Sequence, residues 1–348
     1  MKSTVDLRPM FRDLFLSTIK AMFQAFKELR AARGRTLLIV GTVAMIAVLV
    51  SFLSALTSGL SHQSKSELDR LAELTSGQLS STSLVIADSG TPSLSASNLS
   101  SDQVASLGGT PLYTARARVG EHTAIVVSNP AVPRGEAAVS PALYSESSSV
   151  RLGDRELRVT AGLTDVWLDH QPIVEANPAD VAPLTLGVSA VLLNADATPA
   201  PDVPGTRVLS GKDIYQVSAS YVGENMSLTT MTYLLFVISA LIVGAFFAVW
   251  TMQRLRGVAI STALGASRAV IIADALAQAL FVLVLGAIVG ISITAIGGSF
   301  LDHVMPIVVS PATTLAPGLT IIGFGLLGAV ASLRPIFTVD PRTALSAT

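Results

Sequence analysis

The sequence predicts an α-helical membrane protein: four transmembrane helices, an N-terminal amphipathic helix, and an extracellular α+β domain inserted between helices 1 and 2. Three observations carry that reading. Four apolar stretches are long enough to cross a bilayer, a long polar segment separates the first two, and basic residues gather in the short segments flanking the spans. Half of the residues are hydrophobic and only 14% are charged, with a mean hydropathy of +0.60. A water-soluble domain carries about 25% charged residues.

A helix rises about 1.5 Å per residue and the hydrocarbon core is about 30 Å thick, so roughly 20 apolar residues make a span. Residues 36–60 hold no charge and form the first. The second is 228–252, ending in Phe246, Phe247 and Trp250, which suit an interface. The third, 273–300, carries only Asp274. The fourth, 315–333, is uncharged and opens with Pro317, which a first helical turn tolerates. The apolar run at 36 follows a charged stretch, so it reads as a retained helix and not a cleaved signal.

Ahead of the first span, Phe11, Leu14, Phe15, Thr18, Ile19, Met22, Phe26 and Leu29 recur at three- and four-residue spacings. That stripe predicts an amphipathic helix lying at the inner interface within a cytoplasmic segment 1–35. Orientation follows from the short flanking segments. Lys2, Arg8, Arg12, Lys20, Lys27, Arg30, Arg33 and Arg35 precede span 1; Arg254, Arg256 and Arg268 lie between spans 2 and 3; Arg334 and Arg342 follow span 4. Both termini are therefore expected in the cytoplasm, with 253–272 a cytoplasmic loop, 301–314 an outer loop broken by Pro306 and Pro311, and 334–348 a cytoplasmic tail.

The segment 61–227 is expected outside. A helical run over 63–74 extends span 1 as a stalk. Alternating stretches then predict strands at 83–87, 112–119, 122–127, 150–163 with a Gly153-Asp154 turn, 189–193 and 214–221. The chain has no cysteine, so this domain folds without disulfides.

The chemistry of several function classes is missing. No G-x-x-x-x-G-K-[ST] occurs, so the chain holds no P-loop of its own. No G-x-S-x-G or H-E-x-x-H occurs, and the four histidines are scattered. Asp169-His170, beside Trp167, reads as a solvated loop. The spans lack the buried carboxylates of a proton relay. A hydrolytic enzyme or an ion-coupled transporter therefore finds no support, and no intrinsic cofactor or nucleic-acid partner is expected.

The segment MQRLRGVAISTALGASRAVIIADALAQAL couples a basic start to Ala263-Leu264-Gly265-Ala266-Ser267 and a helix entering the membrane. It resembles the run R-x-x-x-I-G-x-L-(R/K)-A-L-G-A-S that precedes span 3 in FtsX/MacB-type ABC transporter permeases. The tail Val339-Asp340-Pro341-Arg342-Thr343-Ala344-Leu345 is similar to that family's terminal DPxxAL. One departure is Ser261-Thr262, where the family often has a basic residue. The resemblance implies a permease subunit driven by a separate ABC ATPase, with Arg254, Arg256, Leu264, Gly265, Ala266, Ser267 and Arg268 contacting that partner. Four spans are few for a pathway, so a two-fold homodimer within the lipid bilayer is expected. Small residues for close packing stand at Gly41, Ser51, Ser54, Ser239 and Gly244.

Residues 52–60, FLSALTSGL, resemble the FLSGLAxGL run that ends span 1 in the haem-efflux branch. The implied substrate is haem removed from the membrane; the alternatives are the same machinery exporting an antimicrobial peptide, a lipid or a lipoprotein, or a non-transporting regulator of a cell-wall hydrolase. Haem iron takes an axial His, Met or Tyr, and as ferric iron also a carboxylate. Near the outer boundary these are His62, Glu67, Tyr221, Glu224, Met226, Met231 and Tyr233. Glu224 leads, because a carboxylate just before an apolar span costs desolvation unless paired or solvated.

Overall fold

The computed structural model describes residues 33–144, 148–194, 201–263, 267–301 and 304–333. The amphipathic stripe and the tail lie outside the described residues. Two compact units emerge, one of membrane helices and one spanning Thr57–Ser227.

Among the described residues, four helices are long and apolar enough to cross a membrane. They are α1 (Arg33–Ser76), α2 (Ala219–Ala263), α3 (Arg268–Leu301) and α4 (Pro311–Ser332). Each outruns its apolar stretch. Helix α1 continues through Lys65, Glu67, Asp69 and Arg70, as expected of a stalk. Helix α2 begins before the second apolar stretch and continues through 253–263, so most of the expected loop 253–272 is helix. Helix α4 begins earlier than expected, because Ser310 and Thr313 form a reciprocal capping box and Pro311 takes the first turn. Pro317 consequently sits inside α4 and not at its opening.

In the membrane unit, Ile39, Val43, Ala47 and Val50 of α1 are buried with Val243 and Phe247 of α2, Val282 and Leu283 of α3, and Ile321 of α4. The remaining faces present Leu38, Met45, Leu241, Ile296 and Leu319, all more than half exposed. Such faces are untenable in water and ordinary against lipid tails. Lipid supplies no hydrophobic drive between helices, so close backbone approach does the packing. A Cβ at Gly290 would fall 2.6 Å from the Ala44 carbonyl oxygen, which sets α3 directly on α1. Gly244 and Gly328 likewise bring α2 onto α4. Of the small residues expected at contacts, Gly244 serves this purpose, whereas a Cβ at Gly41 would meet open space. Ser51 and Ser239 are buried, and their hydroxyls find no hydrogen-bond partner among the described residues.

The second unit holds two sheets. The first orders β11 (Thr206–Ser210), β1 (Thr82–Ala87), β10 (Ala190–Asn194) and β2 (Thr110–Leu112). The second runs β3 (Thr114–Val119), β4 (His122–Ser128), β9 (Gln171–Ala176), β5 (Glu136–Val139), β7 (Arg155–Gly162) and β6 (Ser149–Leu152), with β8 (Trp167–Leu168) paired to β9. Strand alternation divides the interior into separate cores. Ile125 and Val127 of β4 and Ile173 of β9 join Leu68 and Leu71 of α1, Leu84 and Ile86 of β1, and Leu192 of β10. Their neighbours Ala124, Val126, Val174 and Ala176 face a second core with Leu143, Leu152 and Leu157. Both faces of β4 and β9 are covered, which is why their sequences are almost continuously apolar.

Most expected strands form, including the Gly153-Asp154 hairpin. The stretch 112–119 divides into β2 and β3. The stretch 214–221 is not a strand. Gly211, at φ 57°, turns the chain into a 3-10 helix over Gly211–Val217, and Ser218 then caps α2 by accepting from the Tyr221 amide at 3.2 Å. The buried Ile214, Tyr215 and Val217 fit a three-residue turn as well as they fit alternation, so pattern alone misassigned them.

The glycine contacts make a prediction. Replacing Gly328 by Leu, against the α2 backbone, should destabilise the bundle by about 1–3 kcal/mol or more. Gly323→Ala, where a Cβ meets nothing within 4 Å, should be silent. Thermal unfolding of the detergent-solubilised protein, followed by size-exclusion chromatography, distinguishes the two.

Candidate functional site

The site is built on a two-residue turn. Strands β8 and β9 pair Leu168 with Gln171, leaving Asp169 and His170 as the loop. Both have positive φ, 48° and 60°. Two-residue hairpins favour such turns because their twist matches the strands, but they normally employ Asn-Gly. A non-glycine pair in this conformation stores strain that the surroundings must hold.

They hold it with two helices. The amides of Asp169 and His170 donate to the carbonyls of Ser64 (3.3 Å) and Gln63 (3.0 Å) on α1. Asp169 Oδ1 accepts from the Ser218 and Ser220 hydroxyls at 2.6 and 2.7 Å, at the first turn of α2. The same oxygen accepts from the Ser220 amide at 3.4 Å, one of the donors that a helix start leaves open. His170 Nε2 lies 2.7 Å from Glu224 Oε1 and 3.3 Å from Ser64 Oγ, and Nδ1 lies 3.4 Å from Gln63 Oε1. An ionised Glu224 only accepts, so Nε2 carries the proton it donates. Beside this turn, Ser66 Oγ accepts from the Trp167 amide at 2.8 Å, and His62 Nε2 donates to the Asp165 carbonyl at 2.8 Å.

Glu224 is thus half satisfied. Its Oε2 is buried and has no hydrogen-bond partner among the described residues. An oxygen with free lone pairs, on a carboxyl oriented through its other oxygen, is a ready ligand for a hard cation or an added donor.

The other candidates are placed differently. Met226 stands two positions beyond Glu224 on a helix, hence on another face, and is 74% exposed. Tyr221 packs its ring against Tyr215, centroids 5.2 Å apart. Burial, and then the Asp69 charge, push the Tyr221 phenol above its ordinary value, which disfavours a phenolate ligand. Met231 and Tyr233 are exposed on α2. Glu67 is wholly buried in the sheet-bearing unit. His62 is spent on Asp165. Of the expected ATPase contacts, Ser267 caps α3, its Oγ 3.4 Å from the Val270 amide. Leu264, Gly265, Ala266 and the side chains of Arg254, Arg256 and Arg268 lie outside the described residues.

Sequence reasoning read Asp169-His170 as a solvated loop; it is instead the turn that orients Glu224. The available signal was a two-residue gap between the short runs Trp167-Leu168 and Gln171–Ala176. It was masked because Asp-His is an unusual turn pair.

Residues 229–341 match the family described as FtsX-like permease C-terminal. The chain is 23% identical to the putative hemin transport system permease protein HrtB of Staphylococcus haemolyticus, across 92% of this chain and 98% of that protein. It is 22% identical to its counterpart in Staphylococcus epidermidis over the same shares. An uncharacterized ABC transporter permease of Mycobacterium bovis is 31% identical, but over 34% of this chain and 33% of its own length.

The turn yields a test. Asp169→Ala should release the Ser218 hydroxyl that caps α2 and cost about 1–2 kcal/mol, accelerating amide exchange over residues 219–226 by roughly five- to thirtyfold. Asp169→Asn, which keeps an acceptor and tolerates positive φ, should stay near the parent.

Proposed function

We propose that this chain, whose C-terminal part matches the FtsX-like permeases, is an ABC transporter permease, the membrane subunit of an exporter whose cargo is haem. The reading rests on one observation above the others: Glu224 is a carboxylate oriented by His170, with its second oxygen unpartnered. Ferric haem iron is a hard acid that such an oxygen suits. The likeness to the putative hemin permeases supports the same cargo, because it runs nearly the whole length of both chains and so takes in the inserted unit.

Haem is an apolar macrocycle that partitions into lipid. A permease can receive it sideways from the bilayer, sparing it a passage through water. Glu224 stands on α2 just ahead of the apolar stretch 228–252. Two copies related by a two-fold axis would present two such carboxylates to one iron. The permease contributes no nucleotide chemistry. A separate ABC ATPase, docked on the cytoplasmic side at the α2–α3 junction, would drive it, with both termini on that side.

Glu224→Ala should weaken haem binding by about tenfold or more, or at least about 1.4 kcal/mol, in a Soret titration of the purified protein. Met226→Ala, on another face, should do less. Parental affinity in Glu224→Ala would remove the carboxylate from the site and reopen the peptide, lipid, lipoprotein and regulator readings.

Orientation has its own test, helped by a chain without cysteine. A cysteine at Ser81 should react with an impermeant maleimide applied to intact cells. One at the exposed Ser267 should react only after lysis. Labelling of position 267 from outside would reverse the topology.

A further inference from the structure

Glu67 presents a charge problem unrelated to haem. It lies on α1 three residues before Arg70, a spacing that puts both on one helical face. Its side chain is wholly buried, and neither carboxylate oxygen has a hydrogen-bond partner among the described residues. Leu68 and Leu71 follow it into the apolar core that also holds Leu84, Ile86 and Ile173.

The nearby charges are already committed. Glu175 of β9, 1% exposed, is gripped at both oxygens by the Arg70 guanidinium, with Nη2 3.0 Å from Oε2. Asn129 Nδ2 donates to the same Oε2 at 2.8 Å. Asp69, the neighbouring acid, turns to Lys65 (2.7 Å) and the Tyr215 hydroxyl (2.5 Å). One arginine therefore neutralises one glutamate. An ionised Glu67 would add a second negative charge, desolvated and without a donor, which is among the costliest arrangements a core can hold.

We propose that Glu67 is a proton-binding site: at neutral pH the inserted unit carries one proton on this carboxyl, and releases it only when the α1 segment loosens from the sheets. The ionisable groups acting on it are Glu175 from β9 and Arg70 from α1. Burial first, and the Glu175 charge second, push Glu67 well above the ordinary carboxylate range, against a pull downward from Arg70. The folded state then holds the proton more tightly than the unfolded chain. The resulting stability is complete below the unfolded value of 4.5 and is lost as pH rises through the folded value. The docking of α1 in this unit is thereby linked to pH.

The test uses the full chain in lipid nanodiscs. Infrared spectroscopy at neutral pH should show the carbonyl stretch of a protonated carboxylic acid that Glu67→Gln removes. The variant should also lose up to a tenfold-per-pH-unit fall in the folding equilibrium constant as pH rises from mildly acid to alkaline. A parent without the band, a band that survives Glu67→Gln, or parallel pH profiles would each overturn the proposal. If Glu67→Gln fails to fold, alkaline titration of the parent decides. The band should vanish together with exchange protection over residues 64–76, and separate transitions would refute the link.

Discussion

The organising constraint of the sheet-bearing unit is the left-handed turn at Asp169 and His170. Two residues with side chains occupy a conformation that ordinarily calls for glycine, and they persist there because each is bonded in two directions. Their amides hold α1 through Gln63 and Ser64, while their side chains hold α2 through Ser218, Ser220 and Glu224. A turn built from glycine would cost less locally and could keep the amide bonds to α1, but it would have no side chains to reach α2. The strain is sustained by contacts that also set where α2 begins and which way Glu224 points, so the candidate ligand inherits its geometry from a loop distant in sequence.

The membrane helices obey a different rule. In hydrocarbon every backbone group is satisfied within the helix, and packing is decided by how closely two backbones approach. Gly286 and Gly290 let α3 meet α1, and Gly244 with Gly328 let α2 meet α4. The exposed leucines and isoleucines are the complement of that arrangement. They face the solvent for which the composition is suited.

Legibility from sequence followed the strength of the local signal. Uncharged runs of twenty or more residues have no soluble explanation, so four spans and the inserted domain were readable. Strands with clean alternation, such as those around the Gly153-Asp154 turn, were readable for the same reason. The 3-10 helix at Ile214 and Tyr215 was not, because a short apolar run is consistent with two periods. The likeness to FtsX-like permeases was legible in the Ala-Leu-Gly-Ala-Ser run of residues 263–267. Of the candidate site, Glu224 was found by its position before an apolar span. Its partner His170 was hidden by a separation of 54 residues, since no local pattern reports which side chains meet across a fold.

Two glutamates in this unit illustrate how environment, not residue type, assigns chemistry. Glu224 is about one-third exposed, accepts one hydrogen bond from His170 and retains a free oxygen. That oxygen keeps its lone pairs available to a further ligand or donor. Glu67 is buried from water and has no donor among the described residues, and Arg70, on the same face of α1, is committed to Glu175. Its stable form in the fold is the neutral acid. The difference arises from helical phase and packing: Glu67 lies where α1 enters the sheets' core, whereas Glu224 lies at the margin of α2, beside a turn. Both were candidates in the sequence as carboxylates close to a span boundary. Only the three-dimensional arrangement separates the one suited to bind metal from the one suited to hold a proton.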